Sequence, residues 1–196
     1  LISEVLGRPG MCIPNNAHFD TTRANIEHRG AEACDCPTPE ALDSHLDAPF
    51  KGNMDLDQLE EKISRHGPEN IPFVLITLTN NTMAGQPVSL QNVRETAEIC
   101  RRYGKMLALD CSRIAENAYF IQQREPEQKD RSVRAIIRDV AAEADLCYMS
   151  CKKDGLANTG GWIATRSDEL ARTLKELLIL KEGFPTYGGL ARRDLA

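Results

Sequence analysis

Two short segments of the chain are almost wholly apolar, and they constrain the fold more than any other feature of the sequence. They are residues 73–78 (FVLITL) and 105–110 (KMLALD). Runs of this length that are rich in Val, Ile and Leu are typical of strands buried on both faces. Between them, residues 89–104 repeat apolar side chains at helical spacing and end at Gly104. Because buried strands joined through a helix pair in parallel, the two segments predict an α/β fold.

The alternation of strand and helix continues on both sides of this unit. Segments with the same two patterns are strands at 145–150 and 160–165 and helices at 54–67, at 131–142 and after the capping Ser167. Residues 115–130 form the longest connection, and we predict that they are part helix and part surface loop. The whole pattern predicts one domain over residues 1–196, with a mostly parallel sheet that has helices on both faces.

Composition limits the kinds of partner that this chain can have. Of its 196 residues, 41% are hydrophobic and 27% are charged, and the formal net charge is −5. Because the charge is acidic and no basic stripe is present, nothing indicates nucleic acid as a partner. The apolar runs are too short to cross a bilayer, so no membrane partner is predicted. The chain begins without Met and ends without a terminal motif, and we expect it to be a segment of a longer protein.

The seven cysteines and four histidines do not predict a metal site. The cysteine spacings fit no zinc-binding pattern, and no two histidines have the spacing of a helical pair. Cys100, Cys147 and Cys151 lie in or beside apolar segments. Such cysteines are typically small buried hydrophobic side chains of proteins in a reducing compartment.

Polar side chains follow three of the predicted strands directly. In chain order they are Asn80 and Asn81, then Asp110, Ser112 and Arg113, and finally Ser150, Lys152 and Lys153. In open α/β sheets, ligands bind beyond the carboxyl ends of the strands. We therefore expect these three sets to lie along one edge of one sheet, where they could bind a ligand together.

These residue types suit the cofactor pyridoxal phosphate. A lysine can form a Schiff base with its aldehyde, and a carboxylate can keep its ring nitrogen protonated so that the ring accepts electrons. Serine and lysine can hold its phosphate, and asparagine and arginine can bond its ring hydroxyl. Taken singly, each residue has a simpler interpretation: Lys152 and Lys153 as a surface pair, Asp110 as a turn cap, and the asparagines as part of an ordinary loop.

Six longer stretches resemble the pyridoxal-phosphate-dependent β-eliminating lyases. They are HFDTTR (18–23), FKGNMDLDQLE (50–60), AGQPVSL (84–90), LDCSRIAENAYFIQQRE (109–125), MSCKKD (149–154) and EGFPTYGGL (182–190). They span nearly the whole chain in the order in which the family has them. The resemblance implies that residues 1–196 are the central part of a fold-type I large domain, with the phosphate cup upstream and the small domain downstream.

The resemblance also implies roles for the residues at the strand ends. Lys153 matches the Schiff-base lysine, which also moves the proton at the substrate α-carbon. Ser150 and Lys152 match residues beside the cofactor phosphate, and Lys152 also matches a group that steers proton transfer. Asp110 matches the partner of the ring nitrogen.

Further positions match the surroundings of the cofactor ring. Arg113 and Asn81 match the groups around the ring hydroxyl, and Ser112 matches a residue lying against the ring. Phe19 matches the aromatic side chain that stacks on the other ring face. Asn158 matches a position whose backbone oxygen binds an activating monovalent cation, potassium in this family.

Asp20 bears on the choice of substrate. The tryptophan-cleaving branch of the family resembles FDTT at this point, whereas the tyrosine-cleaving branch has threonine in place of Asp20. A carboxylate near the leaving group can assist protonation of an indole at carbon, so the resemblance favours β-elimination of L-tryptophan to indole, pyruvate and ammonia. From the sequence alone Asp20 could equally be a helix or turn cap.

Three other functions stay open at this point: a tyrosine-cleaving lyase, another fold-type I enzyme such as an aminotransferase, and a non-catalytic α/β module. The resemblance further implies a cytoplasmic homotetramer with an amino-acid substrate. The chain departs from the family at Ala84, where a glycine is usual before Gly85, and at Cys111 and Cys151, which replace small residues and could make the site sensitive to oxidation.

Overall fold

A computed structural model describes residues 1–183, which form one six-stranded sheet in the order β2-β1-β3-β4-β5-β6. The strands are β1 (Cys12–Asn15), β2 (Glu32–Asp35), β3 (Phe73–Thr77), β4 (Met106–Asp110), β5 (Leu146–Ser150) and β6 (Gly161–Thr165). The first five are parallel to their neighbours, and β6 runs antiparallel to β5 at the edge of the sheet. The predicted α/β fold with a mostly parallel sheet is confirmed.

Helices cover both faces of this sheet. They are α1 (Ile2–Leu6), α2 (Asp20–His28), α3 (Pro39–Leu42), α4 (Leu56–His66), α5 (Leu90–Arg102), α6 (Ile114–Arg124), α7 (Val133–Ala142) and α8 (Asp168–Glu182). Short 3-10 turns follow α4 and α6 at Pro68–Asn70 and Pro126–Gln128. One core cluster gathers apolar side chains of α4 to α7, and a second, on the other side, gathers those of α1, α2 and α8. No helix in the described part of the chain is long and apolar enough to span a membrane.

The four predicted strands and the four predicted helices are all present in the described residues. The 115–130 connection consists of α6 and a 3-10 turn. The sequence analysis did not predict β1, β2 or the helices α1 to α3. Both strands have only four residues, and β1 includes Pro14, which is unusual inside a sheet. The matching stretch at 182–190 lies almost entirely outside the described residues.

Three buried asparagines fix the loops at the carboxyl edge of the sheet. Asn92 accepts a hydrogen bond from the backbone N–H of Met54 at 2.8 Å and donates to its carbonyl at 2.9 Å. Asn117 makes the same pair of contacts with Val88, both at 2.9 Å. Asn16 does so with Thr77 at 2.9 and 3.1 Å. Each amide therefore acts as a strand partner for one backbone residue. Asn92 and Asn117 anchor loop residues in this way, and Asn16 holds the end of β3.

We predict that Asn117→Asp destabilises the fold by about 2 kcal/mol, because the side chain loses its donor and leaves the Val88 carbonyl facing a buried carboxylate. Asn25→Asp is the matched control, since Asn25 is exposed on α2 and donates only to the Thr21 carbonyl. The measurement is urea denaturation of both variants. An equal loss of unfolding free energy in the two variants would contradict the anchoring role of Asn117.

Candidate active site

A cavity of about 1150 Å³ opens at the carboxyl ends of β3, β4 and β5. The predicted site residues that line it are Phe19, Asn81, Asp110, Ser112, Arg113, Ser150, Lys152 and Lys153. They come from segments far apart in the sequence, and the sheet brings them together because the parallel strands end at one edge. Two predicted residues are not among the lining residues, namely Asp20 and Asn158, whose side chains are both exposed.

Asp110 ends β4 at the floor of this cavity. It is only 8% exposed, and its Oδ1 accepts a hydrogen bond from the backbone N–H of Ser112 at 3.0 Å. The Ser112 hydroxyl in turn accepts from the N–H of Ser150 at 3.1 Å, which joins the ends of β4 and β5. No Lys, Arg or His side chain within residues 1–183 forms an ion pair with Asp110. Because a buried carboxylate requires a positive partner or several donors, Asp110 is suited to a cationic ligand atom.

Arg113 and Asn81 form a pair beside Asp110. An Nη1 of Arg113 donates to Oδ1 of Asn81 at 2.7 Å, and the backbone N–H of Arg113 donates to the carbonyl of Leu78 at 3.0 Å. The pair therefore joins the ends of β3 and β4. It places a guanidinium group and an amide where they can bond one oxygen of a ligand.

The two lysines lie in the turn after β5, and Asp154 holds that turn in place. Lys153 is half-buried, whereas Lys152 is more exposed. The Asp154 carboxylate accepts hydrogen bonds from the N–H groups of Ala115 and Glu116, at 2.7 and 3.0 Å, in the first turn of α6. A carboxylate at this position also interacts favourably with the positive end of the helix dipole. Asp154 thereby fixes Lys153 relative to the Asp110 loop.

Phe19 reaches the cavity from the start of α2, whose position depends on the buried His18. The Nδ1 of His18 lies 2.6 Å from Oδ1 of Asp35, and Arg23 donates to Oδ2 of Asp35 at 2.5 Å. Burial alone would raise the pKa of Asp35, but the hydrogen bonds from His18 and the charge of Arg23 outweigh burial, so the pKa lies below its ordinary value. The hydroxyl of Thr82 donates to the His18 carbonyl at 2.7 Å, which connects α2 to the loop that carries Asn81.

Three further side chains belong to this site and were not predicted from the sequence: Asp154, Thr22 and Tyr148. Thr22 and Tyr148 both line the cavity. Tyr148 was recognised only as part of a strand, although its position two residues before Ser150 placed it on the same sheet face as the strand end. No signal in the sequence could have linked Asp154 to α6, since the partners lie 38 and 39 residues apart.

The cysteines differ from the prediction in one respect. Cys100 and Cys151 are buried free thiols and Cys147 is half-buried, as expected, but Cys12 and Cys34 are joined as a disulfide between β1 and β2. The His66 side chain lies near this pair, and the three residues form the only candidate metal cluster in the described part of the chain. Because both sulfurs are bonded to each other, they are not available as thiolate ligands, and we assign no metal there.

Cys111 is buried behind the site rather than in it. Its thiol lies 3.8 Å from the Leu109 carbonyl oxygen, and the neighbouring Cys147 together with burial raises the pKa of Cys111. Burial also raises the pKa of Cys100 to about 12. Neither Cys111 nor Cys151 is among the residues that line the cavity. Because both side chains are buried away from the cavity, the expected sensitivity to oxidation has no support from these two positions.

Comparison with known proteins shows the family to which this chain belongs. Residues 3–191 match the beta-eliminating lyase family. The chain is 52% identical over 195 residues to a tryptophanase of Hyphomonas neptunium, covering 100% of this chain and 43% of that protein. It is 51% identical to a tryptophanase of Rhodobacter capsulatus and 43% identical to a tyrosine phenol-lyase of Pasteurella multocida, with the same coverage. The chain therefore belongs to the beta-eliminating lyase family, and it spans less than half the length of these relatives.

Solved structures with much lower identity share the fold. A putative L-allo-threonine aldolase from Listeria monocytogenes superposes with a TM-score of 0.63 at 18% identity, covering 95% of this chain and 44% of that one. The aminotransferase TlmJ from Streptoalloteichus hindustanus gives 0.60 at 20% identity, covering 91% and 40%. These likenesses support the fold-type I architecture and carry no argument about substrate.

We predict that Asp154→Asn loosens the turn that carries the lysines. Loss of the charge at the N-terminus of α6 should cost about 1 kcal/mol in unfolding free energy and speed hydrogen exchange at the Ala115 and Glu116 amides. Asp168→Asn, in the first turn of α8, is the matched control, since Ser167 caps that helix. Unchanged exchange at Ala115 and Glu116 in Asp154→Asn would show that the turn is held by other contacts.

Proposed function

We propose that the full-length protein is a pyridoxal-phosphate-dependent lyase that eliminates the β-substituent of L-tryptophan, releasing indole, pyruvate and ammonia. The observation that carries the proposal is the cavity in which a lysine, a buried carboxylate and an Arg–Asn pair meet at the ends of three parallel strands. Bound there, the cofactor would supply an electron sink for the substrate α-carbon. The relatives named tryptophanase support the same reaction.

Lys153 and Asp110 have the central roles in this scheme. Lys153 would hold the cofactor aldehyde and would take the proton from the substrate α-carbon. Asp110 lies on the cavity floor without a cationic partner among the described residues, and it would hold a proton on the ring nitrogen. Covalent attachment and general base action by one side chain make Lys153 the most costly residue to lose.

The remaining residues orient the cofactor and exclude water. Arg113 and Asn81 would bond the ring hydroxyl, and Ser150 and Lys152 would contact the phosphate. Phe19 would cover the ring from the α2 side, since it lines the cavity from the start of that helix. An aromatic face against a ring of this size also removes apolar area from water.

Asp20 is our candidate for substrate choice. It begins α2 directly after Phe19, and its side chain is exposed in this structure, next to the cavity-lining Thr21. A carboxylate at this place would assist protonation of the departing indole at carbon. The tyrosine phenol-lyase relative, at 43% identity, keeps cleavage of L-tyrosine as the second candidate.

We extend the proposal to a monovalent cation and to assembly. The backbone oxygen of Asn158 would bind potassium, because its loop joins β5 to β6 and contributes the neighbouring Thr159 to the cavity wall. The full-length protein would act as a cytoplasmic homotetramer. Activity assays of the full-length protein with potassium replaced by sodium test the cation site. Analytical ultracentrifugation of the full-length protein tests the tetramer.

We predict that Lys153 is the lysine that binds pyridoxal phosphate. After incubation with the cofactor, borohydride reduction and digestion, mass spectrometry should find the pyridoxyl group on the KKDG peptide at Lys153. Lys153→Arg should abolish this label, whereas Lys129→Arg, a control at an exposed lysine that does not line the cavity, should keep it. A label that is scattered over surface lysines in this chain and also in the full-length protein would contradict the proposed site.

We predict that Asp20→Thr lowers indole release by the full-length protein at least about 100-fold, the lower range for loss of general acid–base assistance. The same substitution should lower phenol release from L-tyrosine much less than indole release from L-tryptophan. Asp57→Thr is the control, because Asp57 is an exposed acid in the first turn of α4. If Asp20→Thr lowers activity equally with L-tryptophan and L-tyrosine, Asp20 supports the structure of α2 rather than the choice of substrate. If the unmodified protein releases phenol faster than indole, cleavage of L-tyrosine is the better assignment.

A further inference from the structure

The helix α2 begins without the side-chain cap that α4, α5, α7 and α8 have. Each of those four helices follows an Asp or Ser whose side chain accepts a hydrogen bond from a backbone N–H of the first turn. The residue before α2 is Phe19, whose side chain lines the cavity and has no acceptor to offer. The start of α2 therefore depends on an anchor from elsewhere in the fold.

That anchor is Asp35, the last residue of β2. Its Oδ1 accepts a hydrogen bond from the backbone N–H of His18 at 2.9 Å and lies 2.6 Å from the ring Nδ1 of the same residue. Its Oδ2 accepts from the guanidinium of Arg23, on α2, at 2.5 Å. The same guanidinium donates to the Ala33 carbonyl on β2 at 3.1 Å. Asp35 thus binds the chain on both sides of the point where α2 begins.

His18 depends on Asp35 for the position of its ring. Since a carboxylate can only accept, Nδ1 of His18 is the donor. The side chain is fully buried, and Nε2 has no hydrogen-bond partner within residues 1–183. On the main-chain side, the Thr82 hydroxyl donates to the His18 carbonyl at 2.7 Å. The residue directly before Phe19 is therefore held between β2 and the loop that carries Asn81.

These contacts matter for Asp20, the first residue of α2. Its side chain is exposed, so its direction is set by the backbone of the first turn rather than by packing of its own. A general acid must lie within hydrogen-bond reach of the atom that it protonates. A small rotation of the start of α2 would move the Asp20 carboxylate out of that reach.

We propose that Asp35 is a positioning residue for Asp20: it clamps the start of α2 to β2 through His18 and Arg23 and so directs the Asp20 carboxylate toward the leaving group. The proposal rests on the function proposed above, because it assigns a support to the residue that would assist indole release. Asp35 is not among the residues that line the cavity, so it acts through α2 and not by touching the substrate.

The chemistry of the leaving group separates this role from a general support of the fold. Indole leaves after a proton is added to its ring carbon, and the bond to the substrate β-carbon then breaks with its electron pair going to the indole. Chloride leaves β-chloro-L-alanine as an anion with its bonding electrons and needs no proton. A displaced Asp20 should therefore slow indole release and leave elimination of chloride much less affected.

The test is Asp35→Asn in the full-length protein loaded with pyridoxal phosphate. An amide in this place keeps the shape but turns an NH₂ group toward the donors of either Arg23 or His18. The rate of indole release from L-tryptophan, divided by the rate of pyruvate formation from β-chloro-L-alanine, should fall at least about tenfold, since a misplacement of about 1 Å can cost about 100-fold. Glu32→Gln, at an exposed acid on the same strand, is the control and should leave this ratio unchanged.

Two further variants sharpen the test. Arg23→Lys keeps the charge but loses the planar fork that bonds Asp35 and the Ala33 carbonyl together, and it should lower the same ratio by a smaller factor. Asp35→Asn added to Asp20→Thr should not lower the ratio below that of Asp20→Thr alone, because Asp35 acts through Asp20. A further fall of the same size in the double variant would overturn the positioning role.

The outcomes separate this inference from the proposed function. If Asp35→Asn slows both reactions equally, Asp35 only supports the fold, and the positioning role is overturned while the proposed function stands. If Asp35→Asn does not fold, an unchanged ratio in Arg23→Lys overturns the role in its place. If Asp20→Thr leaves the ratio unchanged, or if the unmodified protein with its cofactor releases neither indole nor chloride, the proposed function fails and the positioning role falls with it.

Discussion

The parallel, in-register pairing of β3, β4 and β5 is the constraint on which the candidate site depends. Thr77 pairs with Asp110, and Asp110 pairs with Tyr148, so the last residues of β3 and β4 stand in one row with Tyr148, two residues before the end of β5. Asn81, Ser112 and Lys153, which follow this row on three different strands, line the same cavity. A slip of one residue in β4 would turn Asp110 to the opposite face of the sheet, because side chains alternate along a strand. The continuous apolar runs that make these strands also make them buried, which leaves little freedom for such a slip.

The loops beyond this row need their own anchors, and polar side chains supply them from inside. Asn92 and Asn117 each satisfy both backbone groups of one loop residue, and Asn16 does the same for Thr77 at the end of β3, in surroundings where water cannot do so. Gly52 belongs to the same arrangement, because a Cβ there would lie 2.2 Å from the carbonyl oxygen of Gln86. The cavity wall around Asn81 is therefore fixed by main-chain contacts rather than by apolar packing alone.

Much of this could be predicted from the sequence, and the failures have physical causes. The apolar runs at 73–78 and 105–110 predicted β3 and β4, because a strand that is buried on both faces does not alternate apolar with polar residues. The strand β1 was missed because Pro14 and Asn15 break that pattern, and its burial comes from neighbours on both sides.

The side chains that anchor the site, such as Asn16 and Asn117, were harder to predict. Their partners are 29 to 61 residues away, and only the folded sheet brings them together. At Ala84 the family resemblance marked an unusual residue, and the structure gives the reason: its φ is 56°, a left-handed conformation that costs a non-glycine residue about 1 kcal/mol.

The electrostatics of Asp110 argue most directly for what the cavity holds. A carboxylate that is 8% exposed loses most of its hydration, and the Ser112 N–H replaces only part of it. Cationic side chains are present in the cavity wall, but Arg113 is engaged with Asn81, and Lys153 lies beyond ion-pair distance of Asp110 among the described residues. The carboxylate is thus stabilised enough to stay in place and keeps an acceptor position open toward the cavity. A protonated ring nitrogen fits that position because it supplies both the missing charge and the missing donor.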